Sequence, residues 1–111
     1  MDTAIFSRIN RARCEEWMKE GNTVLHHAVG LAGEVGELCN LIKKANRAQV
    51  GAVGGEVIDL EAVGNEIADI FVYLDLVASH YGVDLGQAVV KKFNATSVKH
   101  GFFHRLPEEE G

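Results

Sequence analysis

The sequence predicts an all-α fold whose core is a four-helix bundle completed by self-association. Apolar residues recur with the 3.6-residue period of a helix over several long segments, and the one proline, Pro107, lies beyond those segments near the C-terminus. Hydrophobic residues make up 47% of the 111 residues and charged residues 24%, which excludes an intrinsically disordered chain. We therefore expect one helical domain over residues 1–103, followed by an acidic tail over residues 104–111.

The first two helices are predicted over residues 2–19 and 23–48. Gly21 and Asn22 end the first helix, and the second has the more regular apolar period. Residues 51–55 follow as a glycine-rich segment. This segment lacks the Lys-Ser/Thr ending of a phosphate-binding loop, and no predicted strand precedes it, so we interpret it as a flexible connection between helices. The apolar stripe of the second helix comprises Ala28, Leu31, Ala32, Val35, Leu38, Cys39 and Ile42.

The third helix is predicted over residues 56–80 and the fourth from Asp84 to Gly101. Asp84 is the expected N-cap, with Gln87 three residues later in the position of a capping box. Gly101 is the expected stop, and the chain beyond it reads as an extended arm. The buried stripe of the third helix comprises Leu60, Val63, Ile67, Ile70, Phe71, Leu74, Val77 and Ala78.

The charge balance and the cysteines narrow the class of protein. The net charge is −5, from 16 acidic and 11 basic residues, which argues against a protein that coats nucleic acid. No stretch approaches the roughly 18 uncharged apolar residues of a membrane span, and the N-terminus lacks the apolar core of a signal peptide.

Cys14 and Cys39 have no zinc-type spacing and are predicted to be reduced core thiols of a cytoplasmic protein.

Two pairs of carboxylates interrupt the apolar stripes of the second and third helices. Glu34 and Glu37 form one i, i+3 pair, and Glu66 and Asp69 form the other. Each pair projects in nearly one direction, because an i, i+3 spacing is about 60° around the helix and about 4.5 Å along it. Antiparallel neighbouring helices would bring the pairs face to face, where their repulsion calls for a divalent cation. Oxygen-only ligands suit Mg²⁺, with Mn²⁺ as a possible substitute.

Solvated helix faces are the alternative interpretation of these carboxylates, since such spacings also arise by chance. Glu56 and Asp59 form a further pair of this kind at a predicted helix start, where acidic residues favour the helix dipole. The mid-helix pairs differ, because Gly33 and Gly36 leave room beside the first of them. A di-iron bundle site is excluded: it needs a glutamate three positions before a histidine, and none of the five histidines has one.

At these carboxylates the sequence resembles the MazG-like, all-α nucleoside triphosphate pyrophosphohydrolases, whose hallmark is ExxE, a spacer and ExxD. The first motif stands in GLAGEVGELCNLIKKANR, and 28 residues separate Glu37 from Glu66. The second stands in NEIADIFVYLDLVASHYGVDL, and KKFNATSVKHGF is similar to the family's closing helix. The similarity covers roughly residues 14–103, and we expect a single domain of this kind without the tandem arrangement of larger MazG proteins.

This resemblance implies Mg²⁺-dependent hydrolysis of a (deoxy)nucleoside triphosphate between its α and β phosphates, giving the monophosphate and pyrophosphate. It implies that Glu34, Glu37, Glu66 and Asp69 are the metal ligands and catalytic carboxylates, one of which also orients the attacking water. The expected role is house-cleaning of the nucleotide pool. Relatives form dimers or dimers of dimers, and their pockets often take residues from neighbouring subunits, so we expect a homodimer or homotetramer.

Six further residues are candidates for substrate binding. Lys44 lies seven residues after Glu37 on the same helical stripe, and Lys91 pairs with Asn94, which matches an asparagine common in the family's last helix. Lys43, Lys92 and Lys99 compete for the phosphate-binding role.

Tyr73 and Trp17 are candidates for stacking on the base, against the alternative of packing in the core. His27 can face the site from seven residues before Glu34, although a buried structural histidine is the favoured interpretation.

Two other functions stay open at this point. One is a phosphoribosyl-ATP or dUTP pyrophosphohydrolase of the same superfamily, which a panel of nucleotides would distinguish. The other is a non-enzymatic helical oligomerisation module that carries a vestigial acidic cluster, for which the replacement of Glu66 by glutamine would change nothing measurable.

Overall fold

A computed structural model describes residues 1–108, and the predicted all-α fold is confirmed, with no strand in that part of the chain. Residues 109–111 of the predicted acidic tail lie outside the described residues. A single 3₁₀ turn, Lys19–Gly21, separates the first two helices. The helices are α1 (Thr3–Met18), α2 (Val24–Gln49), α3 (Leu60–His80) and α4 (Leu85–His100).

Each helix begins at a polar N-cap that the sequence supplies. The Asp2 carboxylate accepts from the backbone of Ala4 at 2.8 Å, and Thr23 caps α2. Asp84 accepts from the Gln87 amide at 3.0 Å, which confirms it as the N-cap of α4. At the other end of α4, Gly101 adopts a left-handed conformation (φ 73°) and stops the helix as predicted.

The third helix begins four residues later than the predicted start at residue 56. Asp59 accepts hydrogen bonds from the amides of Glu61 and Ala62, and this cap fixes the start of α3 at Leu60. The preceding segment turns back onto α2 instead, where the Glu56 amide donates to the Lys44 carbonyl at 3.1 Å. Left-handed glycines at 51 and 54 permit this return.

An antiparallel hairpin of α2 and α3 is the main packing unit. Gly30 lies against Tyr73 and Glu37 lies near Glu66, so the chain directions of the two helices are opposed. α1 packs on α3, with the rings of Phe6 and Phe71 centred 5.2 Å apart. α4 packs on α1.

A buried polar network joins α1 to α3. Asp75 is 1% exposed, and its two carboxylate oxygens accept hydrogen bonds from the Ser7 hydroxyl and from the Asn10 side-chain amide, the second at 3.0 Å. The Asn10 amide also donates to the Val72 carbonyl at 3.0 Å. Because a buried carboxylate without donors is costly, this network fixes the register of α1 on α3.

Long apolar helix faces remain exposed in the single chain. Within residues 1–108, Cys14 and Leu76 are the buried hydrophobic residues, whereas Leu25 and Leu60 are 71% and 76% exposed. The radius of gyration is 17.5 Å, against about 13 Å for a compact domain of 100 residues. The helices therefore present apolar surface that one chain does not cover.

No helix within residues 1–108 combines the length and the apolar character needed to cross a membrane.

Candidate functional site

Three carboxylates from the α2–α3 hairpin meet at one point. Glu34 and Glu37 come from successive turns of α2, and Glu66 faces them from α3, such that one oxygen of each lies within 4.8 Å of the others. Glu34 and Glu66 are half-buried, while Glu37 is exposed. The i, i+3 spacing on α2 and the antiparallel partner helix together account for the arrangement.

The cluster lacks the partners that acidic groups need when they are buried. One oxygen of Glu34 and one of Glu66 are buried and have no hydrogen-bond partner within residues 1–108. The adjacent Glu34 carboxylate, together with burial and the nearby Glu37 carboxylate, raises the pKa of Glu66 from 4.5 to about 7. The ion pair found within residues 1–108 joins Lys44 to Glu56 and does not involve the cluster. The carboxylates therefore call for a proton or a cation.

The cluster fits a hard divalent cation. Ligand oxygens of one octahedral Mg²⁺ are at most about 4.2 Å apart, since each lies 2.0–2.1 Å from the metal. The three glutamate oxygens, which lie within 4.8 Å of one another, would therefore have to draw closer together to share one ion. The two orphaned oxygens of Glu34 and Glu66 are acceptors that a cation would satisfy. Carboxylate-only ligands favour Mg²⁺ or Mn²⁺ over softer metals.

Asp69, the fourth predicted ligand, lies beside the cluster instead of within it. Its carboxylate is not among the three that converge, and the residue is exposed one turn after Glu66 on α3. It lines a neighbouring cavity together with Glu34. Its role as a metal ligand stays a prediction.

The neighbouring cavity brings together three of the predicted substrate-binding residues. Trp17 from α1, His27 from α2 and Tyr73 from α3 all line a space of about 390 Å³ that also reaches Glu34 and Asp69. One end of the cavity is therefore acidic and the other aromatic. Its remaining lining residues are Asn10, Arg13, Cys14, Met18, His26, Val72 and Leu76.

His27 is buried and its tautomer is fixed. Nε2 lies 2.7 Å from the Asn22 side-chain oxygen, which only accepts, so Nε2 carries the hydrogen and Nδ1 is an acceptor. Burial lowers the pKa of His27, which favours the neutral ring. Nδ1 has no hydrogen-bond partner within residues 1–108, so the predicted structural histidine is satisfied at only one of its two nitrogens.

The two cysteines differ in their surroundings. Cys14 is buried, with Sγ 3.3 Å from the Asn22 side-chain oxygen, and burial raises the pKa of its thiol, which makes it the unreactive core thiol that was predicted. The same prediction is wrong for Cys39, which is exposed. Cys39 occurs at an apolar-stripe position of α2, but the helix face on which it lies is uncovered in this single chain.

The predicted phosphate-binding groups do not reach this cavity within one chain. Lys44 Nζ is 4.0 Å from a carboxylate oxygen of Glu56. Lys91 and Asn94 line a separate cavity of about 590 Å³ along α4. The Asn94 side chain donates to the carbonyl of Leu106 at 2.9 Å and accepts from its amide at 2.8 Å, so it holds the C-terminal arm against α4.

Sequence reasoning did not identify two residues of the site. Arg13 lines the cavity from α1, one turn before Trp17, and the i, i+4 spacing of an arginine and an aromatic residue was the available signal. Asn22 was assigned only to the end of a helix, yet its side-chain oxygen orients His27. No local pattern signals that contact, because it depends on how α1 returns to α2.

Comparison with known proteins gives one informative likeness. The chain is 33% identical to dCTP pyrophosphatase 1 of Rattus norvegicus over 66 residues, which is 60% of this chain and 39% of the relative. The chain thus spans well under half of the relative's length. No family profile matches the chain, and no solved structure matches it.

We expect the acidic cluster to make the stability of the metal-free protein depend on pH. The pKa of Glu66 is higher in the folded protein (about 7) than its ordinary value of 4.5, so the folded state binds more protons across this interval. The free energy of unfolding should therefore fall as pH rises from about 4.5 to about 7. Millimolar Mg²⁺ should raise the Tm more at about pH 8 than at about pH 5.5, because it competes with that proton. Thermal unfolding with and without Mg²⁺ measures both effects.

Glu61→Gln is the matched control for Glu66→Gln, since Glu61 is an exposed glutamate in the first turn of α3. The Glu66 variant should lose most of the Mg²⁺-induced rise in Tm and the Glu61 variant should keep it. An equal Mg²⁺ effect in both variants would show that the cluster does not bind the cation.

Proposed function

We propose that this protein is a Mg²⁺-dependent nucleoside triphosphate pyrophosphohydrolase, which cleaves a (deoxy)nucleoside triphosphate between its α and β phosphates. The observation that carries the proposal is the convergence of Glu34, Glu37 and Glu66 at the edge of an aromatic-lined cavity. The name of the similar rat protein supports the class of substrate and of reaction. A role in cleaning the nucleotide pool follows from such an activity.

Glu34, Glu37 and Glu66 would hold the cation, and Asp69 is the candidate to accept a proton from the attacking water. A bound Mg²⁺ neutralises triphosphate charge and lowers the pKa of water. Asp69 suits the role of base, since it is exposed and lies outside the three carboxylates that converge. A carboxylate that is not shared with a cation accepts a proton more readily.

The aromatic end of the cavity is suited to the base of the nucleotide. Trp17 and Tyr73 offer ring faces for stacking, and the unpartnered Nδ1 of His27 is an acceptor for a donor group of the ligand. The acidic end, with Glu34 and Asp69, would then receive the phosphates through the cation. The nucleotide would therefore span the cavity from α1 to the α2–α3 hairpin.

The working form is proposed to be a homodimer or a homotetramer (a dimer of dimers). The apolar faces of α2, α3 and α4 are exposed in one chain, and an obligate oligomer would bury them. Lys91 and Asn94 lie on α4, where they line a cavity separate from the one beside the acidic cluster. A neighbouring copy would let such groups approach a cavity that they do not reach in their own chain.

The decisive activity test is a panel of nucleotides incubated with Mg²⁺, in which the monophosphate and pyrophosphate are quantified. We expect both products in equal amounts from at least one triphosphate. Glu66→Gln should lower kcat about 100-fold or more, since it removes one ligand of the proposed cation, with an unchanged circular dichroism spectrum. Glu61→Gln should keep wild-type activity.

The other outcomes of the panel separate the alternatives. Selective turnover of dUTP or phosphoribosyl-ATP would place the protein with those pyrophosphohydrolases. Inorganic phosphate as the direct product would contradict cleavage between the α and β phosphates. A folded chain without turnover, in which Glu66→Gln changes nothing, would favour a helical oligomerisation module.

We expect self-association to be visible as mass in solution. Light scattering coupled to size-exclusion chromatography should give two or four times the mass of the chain, because the exposed apolar faces of α2 and α3 are too extensive for a soluble monomer. The mass should persist at high salt, since burial of apolar surface is not screened by ions. A monomer at micromolar concentration would contradict this part of the proposal.

A further inference from the structure

The ring of Tyr73 lies directly on the backbone of α2 at Gly30. A Cβ atom at Gly30 would lie 2.5 Å from Cε1, 2.6 Å from Cζ and 2.9 Å from Cδ1 of Tyr73. These distances are far below the 3.5–4.0 Å of a carbon–carbon contact. By contrast, a Cβ at Gly33 or Gly36, further along the same helix, would meet nothing within 4 Å. Gly30 is therefore the glycine of this helix whose missing side chain makes room for a ring.

This contact lies between the two ends of the candidate site. Gly30 is one turn after His27 and one turn before Glu34 on α2, and Tyr73 is one turn after Asp69 on α3. The other four residues line the cavity, whereas Gly30 does not line it and lies against the ring of Tyr73. The depth at which that ring sits thus sets one wall of the cavity.

We infer that Gly30 is a positioning residue that determines nucleotide binding through Tyr73. It lets the ring lie against α2, and this leaves the space in front of the ring for a flat, aromatic base. The inference rests on the proposed function, and it assigns a role to a residue that does not itself line the cavity. A side chain at position 30 would push the ring by about 1 Å or more, the distance needed to restore an ordinary contact, either into the cavity or away from α2.

The test compares Gly30→Ala with Gly64→Ala. Gly64 is also a helix-interior glycine of the hairpin, and a Cβ there would meet nothing within 4 Å, so this variant controls for the change in helix propensity. Binding of dCTP and of dATP is measured by fluorescence of Trp17, which is the single tryptophan of the chain and lines the same cavity. Steady-state kinetics with the same nucleotides give KM and kcat separately.

Gly30→Ala should weaken nucleotide binding and raise KM about tenfold, the range in which loss of base stacking falls. Its kcat should stay within about twofold, since the carboxylates are unmoved. The Mg²⁺-induced rise in Tm should stay at the wild-type value, which a general loss of structure would not allow. Gly64→Ala should bind and turn over nucleotide as the wild type does. Nucleotide binding equal in the Gly30 and Gly64 variants would overturn the inference.

A second background keeps the test decisive if Gly30→Ala folds poorly. Tyr73→Ala removes the three ring atoms that a Cβ at position 30 would meet. Adding Gly30→Ala to Tyr73→Ala should therefore cause no further loss of nucleotide binding. A further loss in that background would show that Gly30 acts by another route and would refute the inference. A wild-type chain that hydrolyses no nucleotide would instead overturn the proposed function, and this inference with it.

Discussion

Repulsion among carboxylates at the centre of the α2–α3 hairpin is the constraint on which the candidate site depends. Glu34, Glu37 and Glu66 approach within 4.8 Å, and two of their oxygens are buried without a partner. A folded protein retains such a cluster only at a cost in stability, unless a proton or a cation compensates the charge. The adjacent Glu34 carboxylate and burial raise the pKa of Glu66 to about 7, so a proton can take this role below that pH. Under the proposed function, a cation would take this role at higher pH and would make the cluster suited to phosphate chemistry.

The rest of the fold places an aromatic cavity beside that cluster. Asn10 and Ser7 bind the buried Asp75 and thereby fix α1 against α3. This attachment brings Trp17, near the end of α1, to the same cavity as Tyr73. The acidic groups thus belong to one hairpin, whereas the aromatic wall needs a third helix held by polar contacts. Disruption of the Asp75 network would affect the aromatic end before the acidic end.

Much of the fold could be predicted from the sequence because helical periods and caps are local signals. Asp84 and Gly101 cap the two ends of α4 as expected. The spacing of the glutamates, together with the antiparallel packing of α2 and α3, brings three of them close to one another. The start of α3 was missed because Asp59 caps the helix and the preceding segment bonds back to α2. Two contacts depend on the tertiary structure instead. Gly30 meets Tyr73 from a distant part of the chain, and Asn94 binds Leu106 in the irregular C-terminal arm. No periodicity in the sequence encodes either of them.

The most direct measurement of the central claim is the position of a bound cation. Crystals grown with Mn²⁺, measured near its absorption edge, should show an anomalous peak in contact with carboxylate oxygens of Glu34, Glu37 and Glu66, at the roughly 2.2 Å expected of such ligands. A peak at that place would establish the three glutamates as a cation site of one hairpin. Anomalous density only at surface sites, with the three carboxylates turned apart into solvent, would contradict the account.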